Sequence, residues 1–501
     1  MNNNNRRKIA TPQSLNAYVK GICDIMRRSG RASALQYVPE LTWMLFLRIL
    51  DEIEEKEKEE TEALGHIYHP SLNYPYRWRD WADPSGKKRQ ELQQGTLGGF
   101  MSFVNGDLIP HLKKLKDKPG ANSRQKVISE VFSSVEKTGI DTERNLLDIL
   151  DRINELSIEH VEEKHMFTLS QVYEGLLQKM GEKNNDGGQF FTPREVIRVM
   201  VRVIDPKVGE TIYDPCCGTG GFLAQAYQYM KDKALTATDR GILKTRTFYG
   251  REKEDLVYPI ALANLVLQGI DEPHIWHGNT LTGRETYGGL FAGAPQSYDV
   301  VLTNPPFGGK ESKDAQTNFA YKTSATQVLF LQHVMDSLKR GGRCGIVMDE
   351  GVLFRTNETA FVQTKRKLLN EFNLWCIISL PPKVFLNAGA ASKTNLLFFT
   401  KGETTREIWY YDLSDLNITK GQPLTIEHFD EFFKLLPTRE SSERSWKISV
   451  EEIVTKNYDM KAVNPNRKDD SDKRSSDELI GIIEQENEKL IEMLRKIKNK
   501  M

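Results

Sequence analysis

Net charge is the first thing missing from this sequence of 501 residues, in which 69 acidic side chains offset 69 basic ones. A chain that grips nucleic acid unaided carries a basic excess for the phosphates. The balance here implies that a partner supplies part of any such grip. Cysteine is scarce and scattered. The five thiols (Cys23, Cys216, Cys217, Cys344 and Cys376) are odd in number, and the adjacent pair is a poor ligand spacing. That excludes a zinc ribbon and a secreted disulfide framework, and no metal is expected. The longest apolar run, residues 41–50, is too short to span a bilayer and contains Arg48. The polar start, Asn2 to Asn5 followed by Arg6-Arg7-Lys8, has no signal-peptide form. No internal repeat is visible. A reduced, cytoplasmic protein with no membrane contact is the expectation, with room for about two or three domains.

The chain divides by pattern. Residues 1–165 read as a helical domain: Tyr37 to Leu50 is a strongly apolar helix, the charged run Asp51 to Glu62 continues it as a solvated face, and Leu146 to Ile158 is helical again. Between them, Tyr68 to Pro84 is dense in aromatics and proline, an ordered irregular segment packed on the helices. Residues 166–411 alternate short apolar strands with helices, the pattern of a doubly wound α/β sheet. Asn395 to Thr400 and Glu407 to Tyr411 read as a late antiparallel pair. Residues 412–475 are a mixed segment and linker. Residues 476–501 form one amphipathic helix, opened by a Ser475/Glu478 capping box and striped by Leu479, Ile483, Leu490, Leu494 and Ile497. That stripe either docks on a partner or folds back on its own domain.

Two signals carry chemistry. The strand Tyr298 to Thr303 runs into Asn304-Pro305-Pro306-Phe307, so the tetrapeptide sits at the carboxyl end of a buried strand, where open α/β sheets hold ligands. The prolines make a rigid turn with bare carbonyls. Asn304 Oδ1 and the Pro305 carbonyl can accept both N–H bonds of an exocyclic amine, and Phe307 can stack on its ring. Upstream, Asp214-Pro-Cys-Cys-Gly218-Thr219-Gly220-Gly221 follows a strand and precedes a helix. Its glycines permit a tight turn and close approach to a ligand, and no Lys-Ser/Thr follows them, which argues against a triphosphate loop. The next strand ends at Glu252, placed to accept from a ribose diol.

Two positions stay open on sequence alone. Asn279 either meets the adenine edge of a cofactor or simply closes a turn after Gly278. Gln189-Phe190-Phe191-Thr192-Pro193-Arg194 marks a helix start, with Thr192 as N-cap, Pro193 in the first position and Glu195 closing a box. It is either a capped helix or a fold over the cofactor's carboxylate end.

In this order the signals resemble S-adenosylmethionine-dependent DNA methyltransferases of the amino class in the γ arrangement. Gln189 to Arg194, Asp214 to Phe222, Gly250-Arg-Glu252 and Ala390 to Phe399 resemble the methylation subunit of Type I restriction-modification systems. The resemblance is dense over about 165–400. It implies a methyltransferase sheet behind a helical domain, S-adenosyl-L-methionine held by Gln189 to Arg194, Asp214, Gly218 to Gly221 and Glu252, and a target adenine held by Asn304, Pro305, Pro306 and Phe307. It further implies DNA, a separate specificity subunit, a restriction subunit, and two methylation subunits per specificity subunit. The family often has an acid where Asn279 stands, which leaves its contact with the cofactor adenine in doubt.

Site-specific adenine-N6 methylation is therefore the expected activity. Cytosine N4, RNA or protein glutamine pose the same amine problem and are the enzymatic rivals, and a catalytically silent scaffold is the other. Cys216 and Cys217 do not support cytosine-C5 chemistry, because they lie inside the glycine loop and not at the base site. The polar loop Gly308 to Ser324, with Lys310, Lys313 and Lys322, either closes over DNA or is a disordered connection. The helical tail is expected to dock on the specificity subunit.

Overall fold

The computed structural model describes residues 12–30, 34–155, 192–282, 289–385, 393–419, 421–461 and 463–466, with 478, 480, 481 and 484–489 of the tail. Gln189, Phe190, Phe191, Ala390 to Ser392, Ser475 and the stripe Leu479, Ile483, Leu490, Leu494 and Ile497 lie outside the described residues.

The amino-terminal part is helical, as its periodicity predicts. Helices α1 (Pro12–Arg28), α2 (Ala34–Ala63), α3 (Ser123–Val131) and α4 (Glu143–Asn154) surround a core in which Trp43, Trp78 and Trp81 are buried. The aromatic segment packs as expected, with Trp43 and Trp81 stacked at 6.5 Å and Trp78 Nε1 donating to Asn154 Oδ1 at 2.9 Å. The charged run does continue α2, but it is not simply solvated. Asp51 accepts from Arg79, buried Glu54 accepts from the Ser71 amide, and Glu57 accepts from Arg124 at 2.7 Å. Acids at helical spacing give α2 an inward polar edge.

The remainder is built on one nine-stranded sheet, ordered β3-β2-β1-β4-β5-β7-β6-β8-β9. The strands are β1 (Ile212–Asp214), β2 (Phe248–Glu252), β3 (His274–His277), β4 (Tyr298–Thr303), β5 (Leu338–Asp349), β6 (Phe372–Ser379), β7 (Thr394–Lys401), β8 (Glu407–Asp412) and β9 (Ser445–Ser449). Strands β3 to β5 are parallel, and β7 runs antiparallel to both β5 and β6. Side chains alternate across the sheet. Leu396 and Phe398 join a core shared with α5 (Arg194–Ile204), α6 (Gly221–Lys231) and α7 (Tyr258–Leu267). Leu397 and Phe399 join the opposite core, with α8 (Thr326–Ser337) and α9 (Thr359–Glu371).

Two sequence expectations need correction. β7 and β8 do not pair, because β6 lies between them, antiparallel to β7 and parallel to β8. Nor does the sheet stop at residue 411: β9 pairs antiparallel with β8, and Met460 is buried against the second core. The mixed composition of 412–461 reflects an edge strand and short helices, whose single buried faces leave a weak signal.

The order of the strands fixes where a ligand can sit. β1 and β4 run parallel, but successive strands are added outward from β1 on one side and from β4 on the other, which makes their carboxyl ends a topological switch point. Helix α7 reads apolar all round (YPIALANLVL) and is buried all round, with α2 and α3 of the helical domain on its outer side. Arg124 at the start of α3 ties the two parts together, paired with Glu57 at 2.7 Å and with Asp271 beyond α7 at 2.8 Å.

Candidate active site

At the end of β1, Asp214 is buried and its Oδ1 accepts from Thr303 Oγ1 at 2.7 Å and from the Cys216 amide at 3.2 Å. This bond joins the ends of β1 and β4 across the switch point. Burial pushes the Asp214 carboxyl up to about 7, against the two hydrogen bonds that favour its charge.

The glycine loop turns as its residues predict. Gly218 and Gly220 adopt left-handed backbone at φ 53° and 79°, and a Cβ on Gly220 would stand 3.1 Å from Leu265. Asn264, the buried polar residue in apolar α7, donates to the Thr219 carbonyl at 2.8 Å. Thr280 Oγ1 donates to the Pro215 carbonyl. Helix α6 begins at Gly221 with no side chain capping its first turn, so backbone donors of that turn face the loop.

Glu252 ends β2 beside this loop. Its Oε2 accepts from the Gly218 amide at 2.9 Å and its Oε1 from the Glu254 amide at 2.8 Å. Burial pushes its carboxyl up to about 7, partly countered by these amides. Each oxygen keeps a further lone pair for a ligand hydroxyl. Asn279 closes a turn: its Oδ1 accepts from the Leu281 amide at 2.9 Å.

The Cys217 thiol is buried and Cys216 is half-buried, with Cys216 Sγ 3.1 Å from Thr303 Oγ1. Burial pushes both thiols well above the ordinary range, so neither is poised as a thiolate nucleophile.

The β4 turn is built differently. Asn304 Nδ2 donates to Thr192 Oγ1 at 3.0 Å, while Asn304 Oδ1 is buried with no hydrogen-bond partner among the described residues. The expected cap at Thr192 does not form. The residue before α5 is Pro193, no side chain caps the helix, and Glu195 pairs with Arg198 at 2.8 Å. Thr192 stays outside because its hydroxyl is used on Asn304 instead. Pro305 is buried, Pro306 is exposed, and Phe307 meets buried Phe385 edge to face at 5.2 Å.

The segment after the turn is a folded loop. The Glu311 amide donates to Ser324 O at 2.9 Å, Asn318 Nδ2 donates to Leu281 O at 3.2 Å, and Gln332 bonds both backbone groups of Tyr321. Ala315 and Phe319 pack with Leu281, Leu329, Phe330 and Cys216 in a small core of their own. Lys310, Lys313 and Lys322 are exposed.

Thus the fold brings Thr192, Asp214, Gly218 to Gly221, Glu252 and Asn304 to Phe307 to one edge of the sheet. Pro193 and Arg194 adjoin Thr192 at the start of α5. Thr280, Asn264, Thr303 and Phe385 belong to the same edge and carry no local motif. Only the apolar run around Asn264 hinted that one polar residue there had work to do.

Known proteins match most of the chain. A family model described as N-6 DNA Methylase matches residues 164–474, and one described as HsdM N-terminal domain matches 15–153. The Type I restriction enzyme EcoEI methylase subunit of Escherichia coli is 34% identical over 472 residues, 90% of each chain. The EcoKI methylase subunit of Escherichia coli K12 is 29% identical, over 82% of this chain and 74% of its own. Among solved structures, a modification subunit from Vibrio vulnificus superposes with a TM-score of 0.81 at 34% identity, covering 92% of this chain and 98% of that one. A chain from a type I R-M system superposes with a TM-score of 0.72 at 37% identity, covering 97% and 98%.

Proposed function

The chain belongs to the N-6 DNA methylase family and is the methylation subunit of a Type I restriction-modification system, and from that premise we propose how its residues work. The target is the N6 amine of an adenine flipped out of duplex DNA. Flipping costs a few kcal/mol of unstacking, and contact with Phe307 offsets about 1–3 kcal/mol of it.

The observation that carries this reading is the buried Asn304 Oδ1, unpartnered among the described residues, beside the Pro305 carbonyl. An adenine amine is a poor nucleophile because its lone pair is delocalised into the ring. Two acceptors on its N–H bonds turn that lone pair out of conjugation and toward the methyl donor. The rest of catalysis is in-line positioning.

When bound, S-adenosylmethionine supplies the activated methyl group. Three features of the chain fit it. Glu252 offers acceptor capacity at the end of β2, the glycine loop admits close approach, and the uncapped start of α6 presents backbone donors. Asp214 holds the β1 and β4 ends at fixed separation through Thr303. Thr192, Pro193 and Arg194, with Gln189, Phe190 and Phe191 before them, would cover the carboxylate end of the cofactor. Asn279, spent on its own turn, is the weakest member of the cofactor set.

The site sequence is read by a specificity subunit, and the complex, cytoplasmic and joined by a restriction subunit, holds two methylation subunits per specificity subunit. In the tail, Glu478, Ile480, Gly481 and 484–489 are helical and exposed, which favours docking on the specificity subunit over packing on this chain's own domain. Deleting 476–501 should leave a folded, cofactor-binding chain that no longer assembles. A truncated chain that still assembles and methylates would remove the tail from this role.

Nucleoside mass spectrometry of DNA treated with the reconstituted complex tests the activity. N6-methyladenine is expected. Methylcytosine alone would overturn the base assignment, and cofactor binding without any methylated base would favour a scaffold.

A further inference from the structure

Gln327 is a polar side chain that neither motif accounts for. It is the second residue of α8, is 4% exposed, and lies between the ends of β4 and β5. Its Oε1 accepts from the Asp349 amide at 2.9 Å, and its Nε2 donates to the Pro305 carbonyl at 3.4 Å. The direction of this side chain is unambiguous. A backbone N–H can only donate and a proline carbonyl can only accept, so the Asp349 bond forces the NH₂ end onto Pro305.

The Pro305 carbonyl is one of the two groups placed to accept the adenine amine. Among the described residues this carbonyl accepts from no other donor. At 3.4 Å the Gln327 contact is at the long end for N–H···O. It therefore orients the carbonyl while leaving most of its acceptor strength for the substrate.

We infer that Gln327 is a positioning residue for methyl transfer, holding the Pro305 carbonyl at the angle from which its second lone pair meets the target amine. This rests on the amine-acceptor reading above. The wild-type complex must first be shown to form N6-methyladenine, and failure there would sink the activity and not this inference alone.

The test uses full-length chain reconstituted with its specificity subunit, with two variants. Gln327→Met removes both hydrogen bonds at similar volume. It should slow single-turnover methyl transfer roughly tenfold while cofactor and DNA affinities stay within about twofold. Gln327→Glu keeps the Asp349 bond but, once ionised, sets a carboxylate oxygen against the Pro305 carbonyl. Burial raises a carboxyl's pKa, so this variant should gain rate relative to wild type as pH falls from about 8.5 to about 6, where its protonated form donates again. The nearby ionisable groups are Asp349, Glu350 paired with Lys393, and Glu311 bonded to Thr326. They are common to both proteins and cancel in the ratio. Wild-type rate in Gln327→Met, or a Gln327→Glu ratio that is flat with pH, overturns the inference. If Gln327→Met proves unstable, the pH ratio alone decides.

Discussion

Around the ends of β1 and β2, Asp214, Thr219 and Glu252 each meet a hydrogen-bond partner from the chain itself, and the loop is pinned from α7 by Asn264 and from beyond β3 by Thr280. At the end of β4, one strand away, Asn304 has its donor end satisfied by Thr192 and its acceptor end buried without a hydrogen-bond partner among the described residues. Burying an unpaired polar atom costs about 1–3 kcal/mol, a cost that a substrate amine meeting Asn304 would relieve. On the proposed reading the first is a pre-formed cradle, which needs only a shape to fill it, and the second a reacting edge that the substrate would complete. The cradle side should therefore answer to cofactor binding and the β4 side to the rate of transfer.

The largest effect expected is on the β4 side. Asn304→Ala should lower methyl transfer by about 10²–10³-fold and leave S-adenosylmethionine affinity nearly unchanged by calorimetry. A parallel loss of cofactor binding would erase the distinction between the two ends. Glu252→Ala should do the reverse. It strips the Gly218 and Glu254 amides of their acceptor, and cofactor affinity should fall about tenfold or more, about 1–3 kcal/mol. Unchanged binding would remove Glu252 from the cofactor site.

Thr192 sharpens the comparison, because it lies in the segment assigned to the cofactor while its side chain holds Asn304. Thr192→Val should slow transfer roughly tenfold with little change in cofactor affinity, measured in the same two assays. The opposite split would return its side chain to the cofactor. The smallest effect concerns pH. With burial raising the Glu252 carboxyl to about 7, its charged form, the better acceptor, is lost as pH falls through that value. Cofactor affinity should decline in step between about pH 8 and 6, and Glu252→Gln should flatten most of that step. For the unliganded chain the sign reverses. The native state keeps a proton that the unfolded chain releases above its ordinary 4.5, so the Glu252 contribution to stability should grow as pH falls from about 7 toward 4.5, read as the melting temperature of the wild type relative to Glu252→Gln.

Much of this was legible locally. A β-strand followed by Asn-Pro-Pro-Phe, or by a glycine turn and a helix, is written in contiguous residues, and strand, turn and helix all form from short-range rules. Pairings that cross the chain left no such mark. Thr192 fits a helix cap by local chemistry, yet its partner is 112 residues away. The placement of β6 between β7 and β8 follows from strand order, which alternation along one strand cannot encode. Phe385 is an ordinary aromatic until the fold sets it against Phe307.

The sequence by itself determined the chemistry: which acceptors stand on the β4 turn, where the glycines bend, and which carboxylate ends β2, because each depends on residue type and its nearest neighbours. Tertiary structure alone decided how those groups are aimed. An amide or a carbonyl has direction only when something across the fold holds it, and Thr192, Thr303 and Gln327 reach the active edge through packing between elements far apart in the chain.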